Sequence, residues 1–233
     1  MDRMGSLVAP LFGADAVIVE GKVLLVDHQL MPEEWTYIRK AAPKRRAEFG
    51  TGRVYARRAL AALGVVPGPL LSGADRAPLW PTGIIGSITH TSSYCAVVAR
   101  RSPPCRSVGL DAEVLRPLDD AMVNLVSTPA ERGLLSGRPR RGRDALALLL
   151  FSAKEAYYKL QYQITGRTLD FQDIDIDVQL AARSFEARTL TEGVPPELAR
   201  VRGRFRYAAG KVLCGVELFY EPENLRPGDV PST

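Results

Sequence analysis

An α+β protein is predicted, with two similar lobes, 1–105 and 106–233. Two observations carry this: each half holds one long helical segment, and each half also holds several short β-rich runs. Residues 16–26 (AVIVEGKVLLV) read as two short strands around a turn at Glu20-Gly21-Lys22. Pro32, followed by two glutamates, marks a helix start. Pro43 opens a longer helix that stops at Gly64. Residues 65–83, rich in Pro and Gly, read as loop. The runs IIGSITH (84–90) and YCAVVAR (94–100) are strands joined by Thr91-Ser92-Ser93. RRSPPCRS (100–107) punctuates the chain, and SVGLDAEVL (107–115) is a further strand. A helix is expected over 119–135, a charged loop at GRPRRGR (137–143), and the strongest helix over 144–163. After a turn at ITGRTLDF, the runs IDIDVQL, SFEARTL, VRGRFRYAAG and KVLCGVELFY form an antiparallel meander. The Pro-rich tail from Glu221 reads as loose. The letters themselves show no internal repeat.

Composition bounds the function classes. The chain has 233 residues, 46% hydrophobic and 24% charged, which excludes long disorder and disulfide miniproteins. Lys and Arg number 31 against 26 Asp and Glu, a net +5 with pI near 9.2, so an acidic or phosphorylated partner is favoured. Cys95, Cys105 and Cys214 are scattered, which argues against a zinc site and for a reducing compartment. The N-terminal apolar run is broken by Pro10 and Asp15, and the apolar stretch Ala145–Phe151 is too short to span a bilayer. The expectation is a cytoplasmic protein.

Asp111 and Glu113 lie two apart on a strand, where side chains share a face, so their carboxylates can converge on one cation. Oxygen ligands of this kind suit Mg²⁺. Asp173, Asp175 and Asp177 have the same spacing, and spacing does not choose between the two sets. A solvated strand face accounts for either. On the helix 144–163, Glu155 and Lys159 stand at i and i+4 near Leu148 and Ser152, where they interrupt a partly apolar stripe. Charges placed there need partners; a metal for Glu155 and a phosphate for Lys159 would serve.

The helix from Pro43 carries Lys44, Arg45, Arg46, Arg53, Arg57 and Arg58, with Arg46, Arg53 and Arg57 on one face. A solvated basic face is the common explanation; a guanidinium fork for phosphate is the functional one. His90 ends the run Gly86-Ser87-Ile88-Thr89-His90-Thr91 and can reach a phosphate oxygen. No Walker A loop, GxGxxG or GxSxG is present, so kinase, dinucleotide-binding and serine-hydrolase readings lose support.

Together, KRRAEFGTGRVYARRAL, APLWPTGIIGSITHT, VGLDAE, FSAKEAYYK and ITGRTLDF resemble the 4′-phosphopantetheinyl transferases of the surfactin/enterobactin type, over roughly residues 44–171. The long FSAKEAYYK helix is most similar to the bacterial enterobactin-type subgroup. The resemblance implies a monomer of two pseudosymmetric α+β lobes with coenzyme A in the cleft between them. It implies transfer of the phosphopantetheine arm to a serine of an acidic apo acyl or peptidyl carrier protein, with release of 3′,5′-ADP. In that scheme Asp111, Glu113 and Glu155 hold Mg²⁺ or Mn²⁺, and Lys159 steadies the reacting phosphates. Arg45 (or Arg46), Arg53 and His90 hold the 3′-phosphate, and Arg76 lies near the adenine. Ser87, Thr91 and Lys154 complete the cofactor contacts. Glu155, or a water beside it, is the candidate base. Phe151, Tyr157 and Tyr158 line the pantetheine channel or pack the core, and the GRPRRGR loop adds to the carrier-facing surface. Neither nucleic acid nor membrane is expected as a partner. The competing readings are a Mg²⁺-dependent nuclease or nucleotidyltransferase, which would use the same carboxylates, and a non-catalytic nucleotide- or RNA-binding module.

Overall fold

The computed structural model describes residues 5–66, 68–221 and 223. The tail expected to be loose lies outside the described residues, apart from Glu221 and Glu223. The chain divides into two compact units. The first is built mainly from Gly13–Val108 and takes the chain back from Phe219; the second is Gly109–Leu218 with Pro10–Phe12. The passage from one to the other thus falls at Val108–Gly109, three residues beyond the expected division.

In the first unit, β1 (Val17–Lys22), β3 (Tyr94–Arg101) and β2 (Ile84–His90) form an antiparallel sheet in the order β1-β3-β2. Between β1 and β2 in the chain come α1 (Pro32–Ile38) and α2 (Pro43–Ala62). Helix α2 lays Val54, Tyr55, Ala56 and Ala59 against Val19, Cys95, Val97 and Ala99 of the sheet. Both helices begin on a proline, whose missing N–H costs nothing there. α2 stops at Leu63, and Gly64 follows at φ +72°. The expected two strands in 16–26 are one: β1 runs straight through Glu20-Gly21-Lys22, which pair with Ala96, Cys95 and Tyr94. The glycine serves a close approach instead of a turn, since a Cβ on Gly21 would lie 2.6 Å from the Tyr55 hydroxyl.

The second unit wraps α5 (Arg140–Thr165) with a five-stranded sheet in the order β4-β8-β7-β6-β5. Its strands are β4 (Cys105–Val114), β5 (Ile174–Gln179), β6 (Ser184–Thr189), β7 (Arg200–Ala208) and β8 (Lys211–Phe219). β5 to β8 are the expected meander, each pairing antiparallel with the next. Leu146, Leu149, Leu150, Ala153 and Leu160 of α5 pack in one core with Phe185, Val201, Phe205 and Val216. Two expectations are corrected. The helix over 119–135 is broken into α3 (Asp120–Val126) and α4 (Pro129–Leu135). Pro129 disfavours helical backbone at Thr128, whose hydroxyl instead caps α4 by accepting from Glu131 N. The loop 137–143 shrinks because α5 starts at Arg140, so three of its arginines lie in the first helical turn. Among the described residues no helix is long and apolar enough to cross a membrane. The three cysteines are buried and form no disulfide.

Candidate functional site

In the first unit, α2 and β2 line a cavity of about 140 Å³. Arg45, Glu48, Phe49, Gly52 and Arg53 reach it from one face of α2, spaced by three and four residues. Ile88 and His90 reach it from β2 with the period of two that a strand imposes. Ser72, Arg76 and Pro78 close it from the loop, where a single bridge joins Ser72 to Pro78. Arg76, which also lines the cavity, stands in the left-handed region at φ +69°. The three residues expected at the 3′-phosphate, Arg45, Arg53 and His90, and Arg76, expected near the adenine, therefore line one cavity.

Arg53 is the unusual member. It is buried at 5% exposure, donates to Ser72 Oγ at 2.7 Å and lies 4.3 Å over the Phe49 ring. Its Nε finds no hydrogen-bond partner, and among the described residues no carboxylate forms an ion pair with it. Burial pushes its guanidinium down to about 10, with Glu34 opposing. A buried cation with no ion pair of its own is costly, which makes this cavity a candidate site for an anion. Arg45 donates to His90 Nε2 at 3.3 Å, while His90 Nδ1 lies 3.9 Å from Glu48.

The structure separates Arg45 from Arg46. Arg46 turns to Asp27 at 3.3 Å and lies 5.7 Å from the Trp35 ring centre, outside the cavity. Arg57 is held by Glu34 and by the Gln29 carbonyl. Ser87 and Thr91 are also placed elsewhere: Ser87 lies on the face of β2 opposite Ile88 and His90, and Thr91 Oγ1 accepts from Ser93 N and Tyr94 N to hold the β2–β3 turn. Sequence reasoning missed Phe49 and Ser72. Phe49 stands four residues before Arg53 on a helix, a spacing that would have exposed the ring–guanidinium pair.

The second unit holds the acidic residues. Strand β4 and helix α5 approach so closely that a Cβ on Gly109 would lie 1.9 Å from the Ala156 carbonyl oxygen. That approach brings Lys159 Nζ to Asp111 Oδ1 at 2.7 Å and to the Leu110 carbonyl at 3.1 Å. The partner of Lys159 is thus Asp111, rather than Glu155 one turn earlier on the same helix. Glu113 is pushed up to about 7, by burial first and then by Asp111 and Glu155, with Lys159 and Arg116 opposing. Burial also holds Glu155 above the usual carboxylate range, with Lys159 lowering it and Asp111 raising it. Glu155 makes no hydrogen bond or ion pair among the described residues, and it borders a cavity of about 120 Å³ with Tyr158 and Phe171.

These three carboxylates share one electrostatic neighbourhood with too little positive charge. Yet among the described residues no group of three or more His, Cys, Asp or Glu side chains stands assembled as a metal site. Donor chemistry and charge excess fit a hard divalent cation; the expected preformed cage is not there. The alternative set is spoken for, because Asp175 accepts from Thr128 Oγ1 at 2.8 Å and Arg188 at 2.9 Å, and Asp173 accepts from Asp170 N. Lys154 is likewise corrected as a cofactor contact. It is fully buried, and its three N–H groups go to Val126 O, Glu131 Oε2 and Phe171 O. Tyr157 is core, hydrogen-bonded to the Leu198 carbonyl, while Phe151 packs on Phe171 and Tyr158 on Tyr162.

The first unit thus holds an arginine-lined cavity and the second a carboxylate–lysine cluster, residue types suited to phosphate chemistry. Comparison with known proteins makes this particular. The model of the 4′-phosphopantetheinyl transferase N-terminal domain matches residues 33–100, and that of the 4′-phosphopantetheinyl transferase superfamily matches residues 107–208. The chain is 43% identical to the 4′-phosphopantetheinyl transferase Svp of Streptomyces mobaraensis, over 79% of this chain and 76% of that protein. It is 39% identical to the 4′-phosphopantetheinyl transferase PptT of Mycobacterium tuberculosis, over 81% of this chain and 86% of that one. Identity to enterobactin synthase component D of Salmonella typhi is 38%, over 52% of this chain and 50% of that protein. The chain belongs to the 4′-phosphopantetheinyl transferase family and is an enzyme of that kind.

Proposed function

We propose that the enzyme moves the phosphopantetheine arm of coenzyme A onto a serine of an apo acyl or peptidyl carrier protein and releases 3′,5′-ADP. The observation that carries this reading is the buried Arg53, with no ion pair among the described residues, in a pocket shared with Arg45, Arg76 and His90. A dianionic 3′-phosphate supplies the missing counter-charge, and guanidinium forks match its oxygens. The diphosphate of coenzyme A lies at the Asp111–Lys159 pair. Lys159 uses two of its three N–H groups on Asp111 and Leu110, which leaves one for a diphosphate oxygen.

In the reaction the serine oxygen attacks the phosphorus that bears the pantetheine. A serine O–P bond forms, the P–O bond to the adenosine-side phosphate breaks, and that oxygen leaves with its electron pair on 3′,5′-ADP. Lys159 faces the charge that grows there. Glu155 takes the serine proton, directly or through a water; burial holds it above the usual carboxylate range, which makes it a stronger base than an exposed carboxylate. Mg²⁺ (or Mn²⁺), held by Asp111, Glu113 and Glu155, would offset charge on the diphosphate oxygens. The net basic charge of the chain favours encounter with an acidic carrier.

Intact-mass spectrometry tests the reading. An apo carrier mixed with the enzyme, coenzyme A and Mg²⁺ is expected to gain about 340 Da, the mass of the transferred arm. An unchanged carrier mass with coenzyme A intact contradicts it, and degradation of added DNA or RNA would favour the nuclease reading in its place.

A further inference from the structure

We propose that Lys154 is a positioning residue that fixes the rotation of α5 and so aims the neighbouring Glu155; this rests on the role given to Glu155 above. Lys154 is fully buried, and its ammonium bonds three separate segments: the Val126 carbonyl at the end of α3 (2.7 Å), Glu131 of α4 (2.7 Å) and the Phe171 carbonyl ahead of β5 (2.9 Å). Glu131, at 1% exposure, is saturated in turn by Thr128 N, Ile176 N and Lys154. One side chain on α5 is thereby bolted to a wall made of α3, α4, the Phe171 turn and β5.

The next residue along is Glu155, whose side chain has no hydrogen bond among the described residues to orient it. Its direction is set by the helix that carries it. A rotation of about 20° moves a group some 6 Å from a helix axis by about 2 Å, enough to take a carboxylate out of reach of a serine hydroxyl. Two grips oppose that rotation. One is the contact of Gly109 with Ala156, supported by the Lys159–Asp111 bond. The other is Lys154, about 100° from Glu155 around the helix. Stability alone does not call for a buried ion pair, which apolar side chains of similar volume commonly replace without loss. A pair with every donor and acceptor committed to a defined direction specifies orientation.

The test compares Lys154→Gln with Phe205→Leu, a core variant chosen to lower the melting temperature by a similar amount, both assayed well below melting. Wild type is measured first, and failure to transfer the arm there counts against the proposed function and not against this inference. With wild type active, Lys154→Gln is expected to lose at least about thirtyfold in kcat with KM for coenzyme A within twofold, while Phe205→Leu keeps its kcat. If Lys154→Gln does not fold, Glu131→Asp keeps both charges and shortens the acid by one methylene, and at least a threefold fall in kcat with unchanged KM is expected. An unchanged kcat in the folded variant, or an equal fall in Phe205→Leu, overturns the proposal.

Discussion

Replacing Gly109 by alanine tests how the acidic strand and the catalytic helix are held together. The new Cβ would sit 1.9 Å from the Ala156 carbonyl oxygen, and it would also meet Val216 at 2.9 Å. An ordinary carbon contact begins near 3.4 Å, so the α5 backbone must retreat from β4 by about 1.5 Å. The obstacle is helix backbone, which cannot swing aside as a side chain would. Overpacking of this kind costs about 1–3 kcal/mol, and the upper end is expected here. The same retreat breaks the register that places Lys159 at Asp111, and a displacement of about 1 Å at a reacting centre can cost about a hundredfold in rate. Urea unfolding and kcat are the two assays. Gly142→Ala is the control: it lies in the first turn of α5 with nothing within 4 Å of its added Cβ, and it should gain up to about 1 kcal/mol. A Gly109→Ala enzyme with wild-type midpoint and rate would refute the reasoning.

Other expectations follow from the two sites. Arg53→Met should raise KM for coenzyme A at least tenfold while leaving 3′-dephospho-coenzyme A little affected, because the proposed function gives the lost guanidinium to the 3′-phosphate; equal effects on both substrates would place that phosphate elsewhere. Lys159→Ala should lose at least about tenfold in kcat, and an unchanged kcat would end its assigned role. Glu155→Gln separates base from ligand: if the rate survives at saturating Mg²⁺, Glu155 is not the base. Glu113, pushed up to about 7 from an ordinary 4.5, keeps its proton in the folded protein after the unfolded chain has released it. Its contribution to stability is therefore complete below pH 4.5 and is lost as the pH rises through 7. The advantage of Glu113→Gln over wild type in urea midpoint should grow across that window and then level off, and parallel profiles would contradict the shift.

Strong periodicity made much of the frame legible. The alternation in 84–90 and 94–100, the run into Asp111, the meander and the two long helices all appear where their patterns put them. The misread places are those where one residue has two uses. Gly21 reads as a turn but makes room for Tyr55, and Pro129 ends one helix by starting another. The arginines of 137–143 read as loop because basic residues oppose a helix N-terminus, yet the hydrophobic face of α5 carries the helix back through them. At the first site, helical spacing grouped Arg46, Arg53 and Arg57, of which only Arg53 lines the cavity; Arg45, Arg76 and His90, which the family resemblance supplied, line it too. Lys154 could not be told from a ligand contact, since its three acceptors come from segments distant in the chain. The close approach at Gly109 was equally hidden, being a property of two backbones and not of a motif.

The claim on which the mechanism turns is that Asp111, Glu113 and Glu155 close around one divalent ion when the diphosphate arrives. Mn²⁺ binding, followed by electron paramagnetic resonance with and without coenzyme A, measures this directly. One tightly bound Mn²⁺ per chain is predicted in the presence of coenzyme A, and Asp111→Asn should lose it. Equal Mn²⁺ binding by Asp111→Asn, or none by the wild type with coenzyme A present, would contradict the account.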